Sequence, residues 1–131
     1  MPEDAKVELS VVGYLIEKDI IYDVREKRLA SIGGMVKEIR LRRTQALVLE
    51  YLLNNAINHF VTDDSLITDV WESNGLRGST QRVWQVINDL KIKAGRVGAS
   101  DEFILRVSKK GYFIRQYSVE VLLSASECSP V

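Results

Sequence analysis

The chain of 131 residues has few of the residues from which enzyme and metal sites are built. It contains one histidine, His59, one cysteine, Cys128, and two prolines, which are the second residue and the second-to-last. A single cysteine cannot close a disulfide within the chain, and a zinc site needs three or four His, Cys or carboxylate ligands. His59 follows an asparagine-rich segment, which favours a loop or helix end over a catalytic role. With no paired-carboxylate or glycine-rich phosphate motif, we expect no enzyme, no metal and no cofactor.

Long apolar runs are also missing. No segment approaches the roughly 18 apolar residues that a membrane helix needs. The first residues lack the basic start and apolar core of a signal peptide, so we expect a cytoplasmic location. The length, with 46% hydrophobic and 27% charged residues, suits one globular domain.

Positive and negative charges balance over the whole chain but are unevenly distributed along it. The formal net charge is zero, yet residues 77–115 carry nine basic and three acidic side chains, or +6. Residues 1–76 carry −4 and residues 116–131 carry −2. The basic residues of the cationic segment are Arg77, Arg82, Lys91, Lys93, Arg96, Arg106, Lys109, Lys110 and Arg115. A segment of this charge indicates a polyanionic partner.

The first half of the chain predicts an antiparallel meander followed by two helices. Alternating and β-branched residues predict about four short strands over residues 14–41, with a tight turn at Gly33 and Gly34. Helical spacing predicts a helix over residues 43–56. Thr62 is a good N-cap for a second helix, in which Trp71 continues the apolar stripe and should be a core anchor.

The second half predicts a third helix and a hairpin. Ser79 should cap a helix over residues 80–94 that ends at Gly95. Strands over residues 103–108 and 112–115 should flank a tight turn at residues 109–111. Residues 1–13 and 116–131 are predicted to be an N-terminal extension and a C-terminal tail or linker, and residues 14–115 the domain. The fold class is therefore α+β.

The third helix has two distinct faces at about 100° per residue. Its apolar face, which should pack on the domain, contains Val83, Val86, Ile87, Leu90 and Ala94. Its outward face contains Gln81, Gln85, Asn88 and Ile92, flanked by Arg82, Trp84, Asp89 and Lys91. Amides can pair with adenine in the major groove, and cations can reach phosphates. The same side chains also populate ordinary solvated faces, and Trp84 either covers a neighbouring loop or meets DNA.

The hairpin has tandem lysines at its tip. Lys109 and Lys110, with Arg106 beside them, either protect an edge strand from pairing or contact phosphates and a minor groove. Their position after a helix with outward amides favours the second role.

The order of elements and several short motifs resemble the winged-helix DNA-binding domain of OmpR/PhoB-type transcriptional regulators, and most of all its ToxR/CadC branch. The resemblance covers about residues 14–115. The motifs that carry it are Leu41, Val70-Trp71, Ile87-Asn-Asp-Leu-Lys91 and Val107-Ser-Lys-Lys-Gly-Tyr112.

The resemblance implies a winged helix-turn-helix with an N-terminal antiparallel sheet, three helices and a C-terminal hairpin wing. It implies a sequence-specific regulator that binds double-stranded promoter DNA, with the third helix in the major groove and the wing in the minor groove. Carried over, the DNA-binding positions are Gln81, Arg82, Trp84, Gln85, Asn88, Lys91, Arg106, Lys109 and Lys110. The loop from Asn74 to Gly78 inherits contact with RNA polymerase.

The resemblance also implies a homodimer or paired binding on DNA. Because regulators of the ToxR branch place this domain before a membrane span, it implies a tether beyond residue 131, on the cytoplasmic side of an inner membrane.

The chain departs from the family pattern at two places, and the second of them keeps an alternative function open. The first helix opens with Leu-Arg-Arg-Thr at residues 41–44, where the family has a capping residue, so two cations lie at the positive end of the helix dipole. Arg42 and Arg43 either weaken the start of the helix or contact DNA phosphate. Asn88 and Asp89 replace an arginine pair that the family carries after the central Ile87. The alternative function is a winged-helix module for protein–protein interaction without specific DNA binding.

Overall fold

The computed structural model describes residues 6–32 and 38–128, and the side chains of residues 9–32 and 38–125. Within these residues the chain forms seven strands and three α-helices around one core. The strands are β1 (Lys6–Ile16), β2 (Ile20–Asp23), β3 (Arg28–Ser31), β4 (Glu38–Arg40), β5 (Leu105–Val107), β6 (Gly111–Phe113) and β7 (Val119–Cys128). The helices are α1 (Arg43–Asn55), α2 (Asp63–Leu66) and α3 (Thr80–Arg96). The predicted α+β class, with an antiparallel sheet, three helices and a C-terminal hairpin, is confirmed.

The larger sheet is antiparallel, with strand order β4-β3-β2-β1-β7 in the described part of the chain. β1 starts at Lys6, eight residues before the predicted start at Tyr14, and pairs with β7 along almost its whole length. The register places Lys6 opposite Cys128 and Ile16 opposite Val119, with an irregularity at Val12. The predicted strand limits are therefore wrong, because the ends of the chain form strands with each other. The division of the chain at residues 14 and 115 stays a prediction.

The turn predicted at Gly33 and Gly34 lies outside the described residues. On either side of it, β3 pairs with β4 from Arg28 opposite Arg40 to Ala30 opposite Glu38. The predicted meander is therefore present, although β4 is described for only three residues.

Hydrogen bonds between side chains connect the sheet to α1. Tyr22 is fully buried on β2, and its Oη donates to Glu50 Oε2 at 2.6 Å. Lys27 Nζ donates to the same oxygen at 2.7 Å. Burial first, and then the hydrogen bond to Glu50, raise the pKa of Tyr22 far above its usual range. The hydroxyl therefore stays protonated and serves as a donor that orients α1 on the sheet.

The start of α1 is capped by a side chain from within the helix. The N-cap residue is Arg42, whose side chain cannot accept a hydrogen bond. Gln45, three residues into the helix and buried, instead accepts from the backbone N–H of Arg42 at 2.9 Å. The missing family cap is thus partly replaced by one half of a capping box.

α2 starts as predicted but continues as a wider helical segment. Thr62 Oγ1 accepts from the backbone N–H of Ser65 at 3.1 Å, the hydrogen bond of an N-cap. After Leu66 the helix widens to i→i+5 spacing over Ile67–Trp71 and then tightens over Glu72–Asn74. Trp71 is 1% exposed, which confirms it as a core anchor.

α3 begins at the predicted residue and ends later than predicted. Ser79 Oγ accepts from the backbone N–H of Arg82 at 3.1 Å. The helix continues through Gly95 to Arg96, so the predicted stop at Gly95 is wrong. The residue with a positive φ is Gly98, at 107°. The backbone N–H of Gly98 donates to the carbonyl of Gly95 at 3.1 Å, and that of Ala99 donates to the carbonyl of Ala94 at 2.9 Å. This is the hydrogen-bond pattern of a Schellman motif, whose glycine lies one position beyond the cap.

Candidate nucleic-acid interface

α3 separates a buried face from a polar outer face. Val83, Ile87, Leu90 and Ala94 are buried in the core, as predicted, whereas Val86 is only half-buried. The outer residues Gln81, Arg82, Trp84, Gln85 and Asp89 are exposed, and Asn88 and Lys91 are half-buried. The packing of the inner face therefore leaves the amides and cations of the outer face free for a ligand.

Trp84 has the largest apolar side chain on this face. It is 55% exposed, and Ile92, two turns further along the helix, is 49% exposed. Together with Asn88 and Lys91, Trp84 lines a narrow crevice whose other wall contains Arg106 and Tyr112 of the hairpin. Four of the sequence-predicted residues, Trp84, Asn88, Lys91 and Arg106, are thus brought to one crevice between α3 and the wing.

The wing is the hairpin of β5 and β6, with Val107 opposite Gly111 and a turn of residues 108–110 between them. Both predicted lysines lie at its exposed tip. Lys109 has φ of 68°, a backbone conformation that is uncommon for a residue with a side chain. Lys110 Nζ lies 5.5 Å from the centre of the Phe60 ring, which in turn packs on Phe113 at 5.0 Å.

The wing is anchored to the helical core through its inner strand. Val61, in the loop between α1 and α2, exchanges both backbone hydrogen bonds with Tyr112, at 2.7 and 2.8 Å. Further along the same strand, the N–H of Ile114 donates to the carbonyl of Ala56 at 2.9 Å. The base of the wing is therefore fixed to the loop between α1 and α2.

Arg106 is less available than the sequence suggests. It pairs with Asp63 at the start of α2, with 3.5 Å between Nη2 and Oδ2. Its guanidinium carbon lies 5.7 Å from the centre of the ring of Tyr112, the residue opposite it in the hairpin. Burial and the charge of Asp63 raise the pKa of Tyr112, and Arg106 opposes that shift.

Lys93 is half-buried and engaged in hydrogen bonds within the domain. Its Nζ donates to Gln45 Oε1 at 2.8 Å and to the Arg40 carbonyl at 3.3 Å, and burial lowers the pKa of Lys93. Arg115 is likewise engaged, with Glu102 at 3.4 Å. The charge of +6 in residues 77–115 therefore overstates what a polyanion can meet.

A second cationic region combines the predicted Arg82 and Gln85 with arginines outside the predicted set of DNA-binding residues. Arg42, Arg77 and Arg82 line a groove between the start of α1 and α3 that also contains Gln85 and Asp89. In the sequence, this region is indicated by the Arg-Arg pair at the start of α1, where the helix dipole disfavours cations. The fold brings the first arginine of this pair to the same groove as the outer face of α3.

The loop of residues 74–78 leads from α2 to α3. Gly75 has φ of 71°, and the Asn74 side chain donates to the Val70 carbonyl at 2.7 Å. The backbone N–H of Leu76 donates to the carbonyl of Trp71 at 2.8 Å, so the loop is folded back on the buried tryptophan.

The described part of the chain contains neither a cluster of metal ligands nor a membrane-spanning helix. No group of three or more His, Cys, Asp or Glu side chains there could hold a metal ion. No helix among those residues is long and apolar enough to cross a membrane. His59 is exposed in the loop after α1, in keeping with its predicted position.

An α+β domain with an exposed amide-bearing helix beside a cationic hairpin defines the winged-helix class. The family model described as "Transcriptional regulatory protein, C terminal" matches residues 36–114. The chain belongs to this family, that of OmpR/PhoB-type regulators, and is a DNA-binding domain of a transcriptional regulator and not an enzyme. This confirms the resemblance seen in the sequence.

Solved structures support the fold. The DNA-binding domain of Escherichia coli CadC superposes with a TM-score of 0.64 at 19% identity, over 88% of this chain and 100% of that one. The C-terminal domain of the nisin resistance regulator NsrR, a lantibiotic response regulator, superposes with a TM-score of 0.59 at 24% identity, over 82% of this chain and 97% of that one. A search of curated protein sequences found no match.

Proposed function

We propose that the domain binds promoter DNA with α3 in the major groove and the wing in the adjacent minor groove. The observation that carries this proposal is the common crevice formed by the outer face of α3 and the base of the wing. A duplex laid along α3 would place its backbone beside the wing. The neighbour CadC is described as a DNA-binding domain, which agrees with the proposal.

In this arrangement the residues divide by role. Gln81, Trp84, Gln85 and Asn88 face the bases, where amides pair with adenine and an apolar group contacts the thymine methyl. Arg82 and Lys91 contact phosphates and fix the register of the helix on the duplex. Lys109 and Lys110 enter a narrow, A·T-rich minor groove, whose enhanced negative potential attracts cations.

Affinity is tested at the wing. Lys109→Ala with Lys110→Ala should weaken binding to all sequences alike and lower the slope of log K against log salt by about 0.9 for each lost phosphate contact. The matched control is Lys18→Ala with Arg25→Ala, which removes the same charge from exposed turns of the larger sheet. Binding by the wing variant that equals wild type across a salt titration would refute the role of the wing.

Specificity is tested on α3. Asn88→Ala should change which sites are selected from a random DNA pool, since a lost bidentate contact is worth about 1–3 kcal/mol of discrimination. Lys91→Ala is the control that should weaken all sites and leave their ranking unchanged. An identical site profile for Asn88→Ala and wild type would contradict the readout role.

We further propose that the domain acts in the cytoplasm and pairs on DNA. We propose that the loop of residues 74–78 contacts RNA polymerase and that a membrane tether follows residue 131. The family membership and the exposure of Gly75 and Arg77 in this loop support the polymerase contact. A gel shift with one and two binding sites on one fragment tests the pairing, because two copies on DNA migrate separately from one.

The second candidate is a protein-interaction module. Its support is the exposure of Trp84 and Ile92 on α3 together with the exposed carboxylate of Asp89, which would repel phosphate. A protein that shows no salt-dependent shift of any DNA pool would favour this candidate over the first.

A further inference from the structure

Three side chains meet where the wing joins α2. Arg106 lies on β5, Tyr112 opposite it on β6, and Asp63 is the first residue of α2. The Arg106 guanidinium lies over the Tyr112 ring and 3.5 Å from Asp63 Oδ2. These contacts direct the arginine toward α2.

The cluster is incompletely bonded. Asp63 Oδ1 and Tyr112 Oη are both buried, and neither has a hydrogen-bond partner among the described residues. Tyr112 as a whole is 2% exposed. Unpaired buried polar atoms are unfavourable, and the single contact of 3.5 Å is weaker than a fully bonded bidentate pair.

The surroundings favour a phosphate over the carboxylate as the partner of Arg106. The crevice that contains Asp63 and Arg106 is also lined by Lys109 and Lys110. A phosphate placed there would meet the three cations of this crevice, which outnumber its two carboxylates, Asp63 and Asp64. The arginine side chain remains 49% exposed, so it can turn toward a ligand without unfolding the wing.

We propose that Asp63 is a positioning residue that holds Arg106 over Tyr112 in the free domain, and that DNA binding exchanges this carboxylate for a backbone phosphate. The inference rests on the proposed function and deepens it. Asp63 thereby lowers affinity for DNA in general, because each binding event must first break the ion pair.

The test is a double-mutant cycle measured by salt-dependent DNA binding. Asp63→Asn removes the charge and keeps the shape of the side chain. It should bind random-sequence DNA several-fold more tightly than wild type, with a similar log–log salt slope, because Arg106 contacts the same phosphate in both complexes. In the Arg106→Ala background, Asp63→Asn should increase the affinity for DNA much less.

Asp64→Asn is the matched control. It removes the same charge from the neighbouring position of the same crevice, and no ion pair joins Asp64 to Arg106 in the described part of the chain. A gain for Asp63→Asn that equals that of Asp64→Asn, or that persists without Arg106, would overturn the inference. Asp63→Ser, also a good residue near a helix start, should repeat the gain if Asp63→Asn folds poorly, and unfolding curves of all variants give their folded fractions.

Failure of this inference differs from failure of the proposed function. If wild type binds DNA and Asp63→Asn gains nothing, the exchange is refuted and the DNA interface stands. If wild type shows no salt-dependent DNA binding, both are refuted.

Discussion

Replacement of Gly111 by alanine should detach the wing from the helical core. Gly111 has φ of 112°, and a Cβ built on it would lie 2.1 Å from the carbonyl oxygen of Val61. That carbonyl accepts the backbone hydrogen bond from Tyr112 at 2.7 Å. An alanine therefore meets both an unfavourable backbone conformation and a collision with backbone that a side-chain rotation cannot relieve.

The size of the effect follows from these two contributions. A left-handed conformation costs a residue with a Cβ about 1–2 kcal/mol. Moving the loop away lengthens both hydrogen bonds between Val61 and Tyr112, each worth about 0.5–1.5 kcal/mol net. Gly111→Ala should therefore lower the free energy of unfolding by about 2–5 kcal/mol.

Two other glycines separate the contributions. Gly98 has φ of 107° but nothing within 4 Å of its built Cβ, so Gly98→Ala should cost only the backbone strain, about 1–2 kcal/mol. Gly95 lies in the last turns of α3 with neither feature, and Gly95→Ala should stabilise the domain by roughly 0.5–1 kcal/mol. The difference between Gly111→Ala and Gly98→Ala isolates the collision with Val61.

Urea unfolding followed by far-UV circular dichroism measures all three variants, and a salt titration of DNA binding measures the wing. Gly111→Ala should unfold at a lower urea concentration with an unchanged slope, and its folded fraction should lose wing-dependent affinity. A free energy of unfolding for Gly111→Ala that equals that of Gly98→Ala would refute the reasoning, because the collision would then have no consequence.

Three further predictions concern other side chains. Lys93→Ala should lower stability by about 1 kcal/mol, the net worth of a typical hydrogen bond, with little effect on DNA affinity. Lys91→Ala should lower DNA affinity with little effect on stability. Urea unfolding and gel shifts distinguish the two variants. Burial, and then the 2.5 Å hydrogen bond to Asp69, raise the pKa of Tyr51 to about 12 from about 10 unfolded. Its contribution to stability should therefore be complete below pH 10 and disappear between pH 10 and 12, and Tyr51→Phe should flatten this decline in a pH series of unfolding curves. Lys109→Gly should raise stability by up to about 1 kcal/mol, since it relieves a positive φ, while it lowers DNA affinity.

The parts of the fold that sequence reasoning predicted are those with a local physical signal. Ser79 and Thr62 are both observed as N-caps, because a hydroxyl before an apolar repeat satisfies a free N–H whatever the tertiary structure is. The buried face of α3 and the core position of Trp71 followed from helical spacing. The order of elements, with the wing motif, also allowed the family to be recognised.

The parts that were missed depend on long-range contacts. The pairing of β1 with β7 joins residues at opposite ends of the sequence, so neither strand contains a local signal for its partner. The end of α3 was placed at the first glycine, although the Schellman hydrogen bonds require the second, Gly98.

The same limitation affected the candidate site. Lys93 and Arg106 count equally with Lys91 in a sum of charges, yet Gln45 engages the first and Asp63 the second. Neither partner lies within 40 residues in sequence of the cation it contacts, so spacing alone could not identify the pairs.

The hydrogen bonds between Val61 and Tyr112 have a consequence for the DNA as well as for the protein. They attach the wing to the loop that precedes α2, so the distance between the wing tip and the outer face of α3 is fixed by the protein. A duplex bound in the proposed way has to adapt its own groove width to that distance, and sequences that narrow easily do so at lower deformation energy. Base pairs that no side chain touches would then help to decide where this domain binds.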